Sequence, residues 1–244
     1  MTRRDRWLRG RSETYARQTL RPVHSLLFVL PMLAFFHVGT FSGGSDLLAL
    51  YHLRRLLGYF NATLALLPPA LIVVVLLAQQ TLHHDGFRVR PRVLAGMCGE
   101  AVGWVLPLIA LGHITGRLWL HQAGGADASA GLLQELCVAV GAGAYEEFVF
   151  RMALIGLLML LLVDVFELNA DGVALASVLV TAAAFSAYHL SPAVWSGADA
   201  VAWDDFLFRW IAGVYLGVLF LYRGYGIAAG AHAVYNLYTV AYHY

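Results

Sequence analysis

Glu146 and Glu147 stand side by side, with Arg151 four positions on, in the stretch Ala144–Met152 (Ala-Tyr-Glu-Glu-Phe-Val-Phe-Arg-Met), inside a run that is otherwise almost wholly apolar. Ionisable groups at bilayer depth are expensive and by default mark a functional site. On a helix, neighbouring residues point about 100° apart, so the two carboxylates do not serve one cavity equally. Glu147 and Arg151 share a face with the acid on the N-terminal side, the favourable order for an ion pair. The spacing therefore predicts a self-satisfied buried Glu147–Arg151 pair and leaves Glu146 as the carboxylate available for chemistry. A desolvated carboxylate disfavours its charged form and becomes a usable general base. The plainer alternative is a structural polar knot of all three residues.

Two later apolar runs carry polar groups of complementary kind. Phe185-Ser-Ala-Tyr-His189 places a histidine near the end of one run, and His232-Ala-Val-Tyr-Asn236 places His and Asn on one helical face. A lone histidine in an apolar helix is usually a packing residue. Three separate segments, each contributing such a group, supply a base, an orienting histidine and donors for a developing oxyanion. Glu146 with His189 and His232 also forms a donor set that zinc accepts, but the H-E-x-x-H of a zinc protease is absent, and no metal or other cofactor is expected. His83 and His84 in a basic loop and the near-terminal His243 read as solvated. His24, His37, His52, His113 and His121 lack a polar partner at helical spacing. Cys98 and Cys137 lie in or at the ends of apolar segments and are not expected to pair.

The elements that must position these groups are membrane helices. The chain of 244 residues is 60% hydrophobic and 13% charged, with a mean hydropathy of +0.68, which excludes an ordinary soluble domain. A net charge of +1 gives no basic field for nucleic acid. All 16 basic residues are arginine, read as compositional bias. A spanning helix needs roughly 20 apolar residues. Seven segments qualify: His24–Phe41, Asn61–Gln80, Cys98–Leu120, Leu132–Val163, Gly172–Leu190, Phe206–Tyr222 and Ile227–Tyr242. Asp46–Phe60 has the pattern of an interfacial amphipathic helix or an extension of a neighbouring span. The expected fold is all-α, a polytopic integral membrane bundle of about seven to eight spanning helices. Residues 1–23 form a basic cytoplasmic tail and 24–244 one membrane domain, with its catalytic core at about 132–244.

Arginines 3, 4, 6, 9, 11, 17 and 21 precede the first span and place the N-terminus in the cytoplasm by the positive-inside rule, as in a bacterial-type inner or plasma membrane. Thr81–Arg92 is then inside and His121–Ala130 outside. Leu132–Val163, about 48 Å as a helix, is longer than a hydrocarbon core of about 30 Å. It must tilt, protrude or break, with Gly141 and Gly143 as the expected break. Gly213-x-x-x-Gly217 and Gly226-x-x-x-Gly230 are close-packing patterns expected to bring His232 to the other spans. This layout puts His189 near the outer end of its span and His232 near the inner end of its own. A shared site then requires a short, tilted or broken fifth span, or different boundaries.

Glu146-Glu147-x-x-x-Arg151, Phe185-x-x-x-His189 and His232-x-x-x-Asn236, in this order on successive apolar segments, resemble the CPBP family. These are the CAAX protease and bacteriocin-processing (Abi) membrane proteases, including the Ras-converting CAAX endoprotease type. The three motifs together are specific, and every motif position is filled; the first 130 residues add only multi-spanning character. The resemblance implies a glutamate-dependent intramembrane endopeptidase that uses no metal. It assigns Glu146 and His189 to water activation, His232 and Asn236 to the oxyanion, and Glu147, Arg151 and Phe185 to support. The implied partners are the bilayer and a membrane-associated or lipidated protein or peptide substrate: a prenylated CAAX protein, a bacteriocin-type leader or a membrane-anchored sorting tail. The competing reading is a non-catalytic immunity, scaffold or transport-associated protein of the same fold.

Overall fold

The computed structural model describes residues 14–40, 47–59, 64, 66–82, 86–117 and 131–243. Among these residues every regular element is a helix: α1 (Tyr15–Thr19), α2 (Pro22–Thr40), α3 (Leu48–Gly58), α4 (Leu67–Leu82), α5 (Pro91–Thr115), α6 (Leu132–Val165), α7 (Ala170–Tyr188), α8 (Pro192–Trp195), α9 (Trp203–Arg223) and α10 (Tyr225–His243). Helices α2, α5, α6, α7 and α9 are each long and apolar enough to cross a bilayer; α4 is apolar but shorter. The protein is an all-α polytopic membrane bundle. The amphipathic segment near residue 50 is α3, with Ala49, Leu50 and Leu53 turned inward. Cys98 and Cys137 are both free. His83, His84, His121 and the loop expected at 121–130 lie outside the described residues, as do residues 1–13 of the basic N-terminal segment.

Boundaries follow local chemistry. Helix α5 starts earlier than the apolar run because Pro91 takes its first turn, where a missing N–H costs nothing, and stops at Gly116, whose φ of 64° suits glycine. Helix α7 begins where Asn169 Oδ1 accepts the Gly172 amide at 2.9 Å. From Thr14 onward, the segment expected to be a basic tail folds: Gln18 and Thr19 of α1 are buried, and the Tyr15 hydroxyl donates to Glu100 Oε2 on α5 at 2.8 Å.

The expected break at Gly141 and Gly143 does not occur. Helix α6 runs unbroken for 34 residues; its winding widens to π turns only beyond Glu147, over Phe148–Ile155 and Leu160–Val165. The two glycines serve contact instead. A Cβ on Gly141 would lie 2.2 Å from the Phe36 ring, and one on Gly143 would lie 2.6 Å from the Ala229 carbonyl oxygen and 2.7 Å from the Ala233 nitrogen on α10. Lacking side chains here lets α2 and α10 approach the α6 backbone closely.

The depth conflict between His189 and His232 also resolves. Val165 lies 19 positions after Glu146, and α7 is 19 residues long. Across the tight α6–α7 turn, where Glu167 adopts a left-handed φ of 55°, the end of α7 therefore returns to the level of Glu146. Helix α10 starts packed within the bundle. It follows α9 directly through Gly224 (φ 84°), which packs on the Thr19 carbonyl and Leu20, and Tyr225–Ala233 is buried throughout. Gly226 packs against Ser25 and Met97, Gly230 against Phe28 and Ala101, so α2 and α5 enclose the first turns of α10. The small-residue pattern thus carries His232 into the interior, as the spacing of Gly226 and Gly230 predicts.

Candidate active site

Glu147 and Arg151 form the buried pair that their spacing predicts. Arg151 Nη1 is 3.0 Å from Glu147 Oε1, and both side chains are fully excluded from solvent. Removing two charges from water is costly unless their remaining valences are met. Arg151 Nη2 donates to the Gly213 carbonyl of α9 at 3.1 Å, and its guanidinium lies over the Phe185 ring, 4.7 Å from the centroid, a cation–π contact. Gly213 allows this approach: a Cβ there would meet Ala182 of α7 at 3.0 Å. The pair thus locks α6, α7 and α9 together.

A further partner of Glu147 is not evident from helical spacing. His232 Nδ1 stands 2.8 Å from Glu147 Oε1; since an ionised carboxylate only accepts, the ring donates Nδ1–H. Its other nitrogen, Nε2, is 3.7 Å from Glu146 Oε2. His232 therefore bridges the adjacent acids with its two ring edges.

His189, the residue that ends α7, meets Glu146 from the other side, with Nε2 at 3.8 Å from Glu146 Oε1. Its Nδ1–H donates to the Phe185 carbonyl at 2.8 Å, so in the neutral ring Nε2 carries the lone pair and faces Glu146. Phe185 packs between the two histidines, 4.6 Å from the His189 ring and 6.1 Å from that of His232. Asn236 lies one turn further along α10, fully buried, and its Nδ2 donates to the Ala139 carbonyl of α6 at 3.1 Å. The structure thus gathers Glu146, Glu147, Arg151, Phe185, His189 and His232 into one cluster, and gives Asn236 a bond to the α6 backbone beside it.

Separations of 3.7 and 3.8 Å exceed a hydrogen bond and suit an intervening atom. A cavity of about 40 Å³ opens beside His189 and His232, large enough for water. Tetrahedral zinc ligands at 2.0–2.1 Å stand roughly 3.3 Å from one another, closer than these groups. Among the described residues, no group of three His, Cys, Asp or Glu side chains is arranged to hold a metal ion.

Two flanking contacts and one cation escape a reading by helical spacing. His37 Nε2 meets the Tyr145 hydroxyl, and His52 Nδ1 that of Tyr188, each at 2.6 Å. They bind the residues preceding Glu146 and His189 to α2 and α3, elements too remote in sequence for spacing to connect. Arg209, in the apolar run of α9, lines the cavity; an arginine inside a candidate span is the signal that marks it.

Residues 128–238 match the family model described as type II CAAX prenyl endopeptidase Rce1-like. No curated protein and no solved structure gives a match. The matched segment contains the whole cluster, from Glu146 to Asn236, within the helices that build it. Residues 128–238, somewhat under half of the chain, are thus similar to the CAAX-type prenyl endopeptidases.

Proposed function

We propose that this protein hydrolyses a peptide bond in a membrane-associated protein or peptide by means of a water activated between Glu146 and His189. The observation that carries the reading is the placing of the Glu146 carboxylate 3.7–3.8 Å from Nε2 of both histidines, which themselves line a cavity. A water between Glu146 Oε1 and His189 Nε2 donates one proton to each, and its oxygen lone pairs remain for the carbonyl carbon. Glu146 takes the proton as the water oxygen bonds to that carbon, and returns it to the departing amine as the C–N bond breaks. The oxyanion is met by the His232 ring, which its Nδ1–H bond to Glu147 orients, and by the second N–H of the Asn236 amide. Arg151 and Phe185 hold the pieces in register.

The reaction so written uses no metal. Activity unchanged by a strong chelator is expected, and loss that zinc restores would refute this part. The Arg-rich N-terminal segment supports a cytoplasmic N-terminus in a bacterial-type inner membrane.

The test compares protein termini in membranes from cells holding the wild-type protein and Glu146→Gln. Termini that vanish in the variant identify the substrate and its cut site. Identical termini in both, with the protein present at equal level, would sink the proposal and favour a non-catalytic role.

A further inference from the structure

A buried tyrosine hydroxyl usually finds a hydrogen-bond partner, and other tyrosines of this bundle do. Tyr225 donates to the Ala144 carbonyl at 2.8 Å, Tyr215 to the Trp104 carbonyl at 2.7 Å, and the Tyr145 hydroxyl meets His37. Tyr235 of α10 differs from these. The residue is 7% exposed, and its hydroxyl oxygen is closed off from solvent and has no hydrogen-bond partner among the described residues. A hydroxyl buried in this way costs the fold free energy. Its neighbour Asn236 turns to α6, where it bonds the Ala139 carbonyl. Tyr235 instead packs with Leu108 of α5 and with Phe208 and Leu216 of α9. Together with His232, three positions earlier and adjacent on the helix surface, it forms the α10 wall of the cavity. Arg209 also lines that cavity but is engaged within the protein, and the two histidines are committed to the proposed reaction.

We propose that Tyr235 is a substrate-binding residue whose hydroxyl donates a hydrogen bond to a backbone carbonyl oxygen of the peptide near the bond that is cut. A peptide drawn between apolar walls loses water from its carbonyls, and each stranded carbonyl opposes binding unless a donor meets it. The phenolic O–H is such a donor. A cavity of about 40 Å³ holds water but no peptide segment, so its walls part as substrate enters, and a hydroxyl with no bond to hold it can follow the carbonyl. The bond withheld from the fold is then made with the substrate. The inference rests on the endopeptidase reading and deepens it: His232 and Asn236 meet the reacting carbonyl, while Tyr235 meets a neighbouring one and fixes the register in which the chain is cut.

The test is Tyr235→Phe, which deletes the hydroxyl and keeps the ring. Purified in detergent, the variant is expected to melt at or above the wild-type temperature, because no internal bond is lost; a clear fall in melting temperature reveals an internal partner and overturns the proposal. With a peptide that spans the cut site identified from the lost termini, kcat/KM is expected to fall by about five- to thirtyfold, chiefly through KM, as loss of a contact made equally in the ground and transition states requires. Unchanged kinetics overturn the proposal, and so does a loss confined to kcat, which would put the hydroxyl at the reacting carbonyl. In a second series each non-scissile carbonyl of the peptide is replaced in turn by a thioamide, whose sulfur accepts hydrogen bonds weakly. One replacement is expected to weaken cleavage by the wild-type protein and to leave Tyr235→Phe unaffected, the non-additivity that marks a direct contact. A wild-type protein indifferent to every replacement, or a variant as sensitive as wild type at each, overturns the proposal. Cleavage of the natural peptide by Glu146→Gln at the wild-type rate overturns the endopeptidase reading instead, a result separable from any behaviour of Tyr235→Phe.

Discussion

Two glutamate–arginine centres in this protein use the same chemistry to opposite ends. At the edge of the bundle, Glu100 is saturated. Its Oε1 accepts from Arg223 Nε at 2.5 Å and Trp104 Nε1 at 2.9 Å, its Oε2 from Arg223 Nη2 at 2.7 Å and the Tyr15 hydroxyl at 2.8 Å. That carboxylate is a clasp tying α1, α5 and the end of α9. At the centre, two neighbouring carboxylates divide the contacts, and the proposed function makes one of them the reactive group. Glu147 takes Arg151 and His232, while Glu146, turned away along the helix, faces two imidazole nitrogens across gaps too long for hydrogen bonds. A carboxylate that all its donors reach directly is a fastening. One that faces two histidine nitrogens beside a cavity lined by both is placed for the proposed reaction.

The comparison breaks most sharply at Glu146. Glu146→Gln and His189→Ala should each lower cleavage by about a hundred- to ten-thousandfold while the protein accumulates normally. Turnover assays on membranes with matched protein levels check this. Arg151→Ala should act on the fold, because it strands Glu147 in a fully buried place; the expected cost is about 3–5 kcal/mol, read as lost yield or a lowered melting temperature. Arg223→Ala at the edge should cost less, below about 3 kcal/mol, since its pair retains some exposure and Glu100 keeps Tyr15 and Trp104. Equal destabilisation by the two arginine variants would remove the distinction between centre and edge.

How far the sequence foretells this site depends on which forces placed each residue. The i,i+4 pairing of Glu147 with Arg151 is local, so spacing alone identifies it, and apolar length alone marks most spans. The bond from His232 to Glu147 crosses between helices 85 residues apart in sequence, and no periodicity encodes it. Depth was misleading for a similar reason. Apolar content shows where a helix can cross, but not that the 19 residues of α7 bring His189 back to the level of Glu146. The glycines Gly141 and Gly143 read equally well as a break or as a contact; only the partner surfaces, Phe36 and the α10 backbone, decide between them.

That decision makes Gly143 the next test. A methyl group there presses on the α10 backbone, which has no flexible end to yield. Gly143→Ala should therefore destabilise by about 1–3 kcal/mol and shift His232 relative to both glutamates, lowering turnover by up to about a hundredfold. Gly156→Ala, on the same helix with nothing within 4 Å of the new methyl, should leave both measures unchanged. Comparable losses in the two would mean that helix flexibility, rather than the α6–α10 contact, sets activity.

The smallest effect is expected at the edge clasp. Tyr15→Phe deletes one of the donors to Glu100 and leaves the bidentate Arg223 pair, so it should cost about 0.5–1 kcal/mol without changing turnover. Burial, with the hydrogen bond to Glu100 next, pushes the Tyr15 hydroxyl up to about 12. Because the fold favours the protonated hydroxyl, its contribution is complete below the ordinary tyrosine value of about 10 and fades as pH rises through about 12. The stability difference between wild type and Tyr15→Phe should therefore be constant around neutral pH and shrink towards zero near pH 12. A difference that persists there would refute the assignment of this contribution to the protonated hydroxyl.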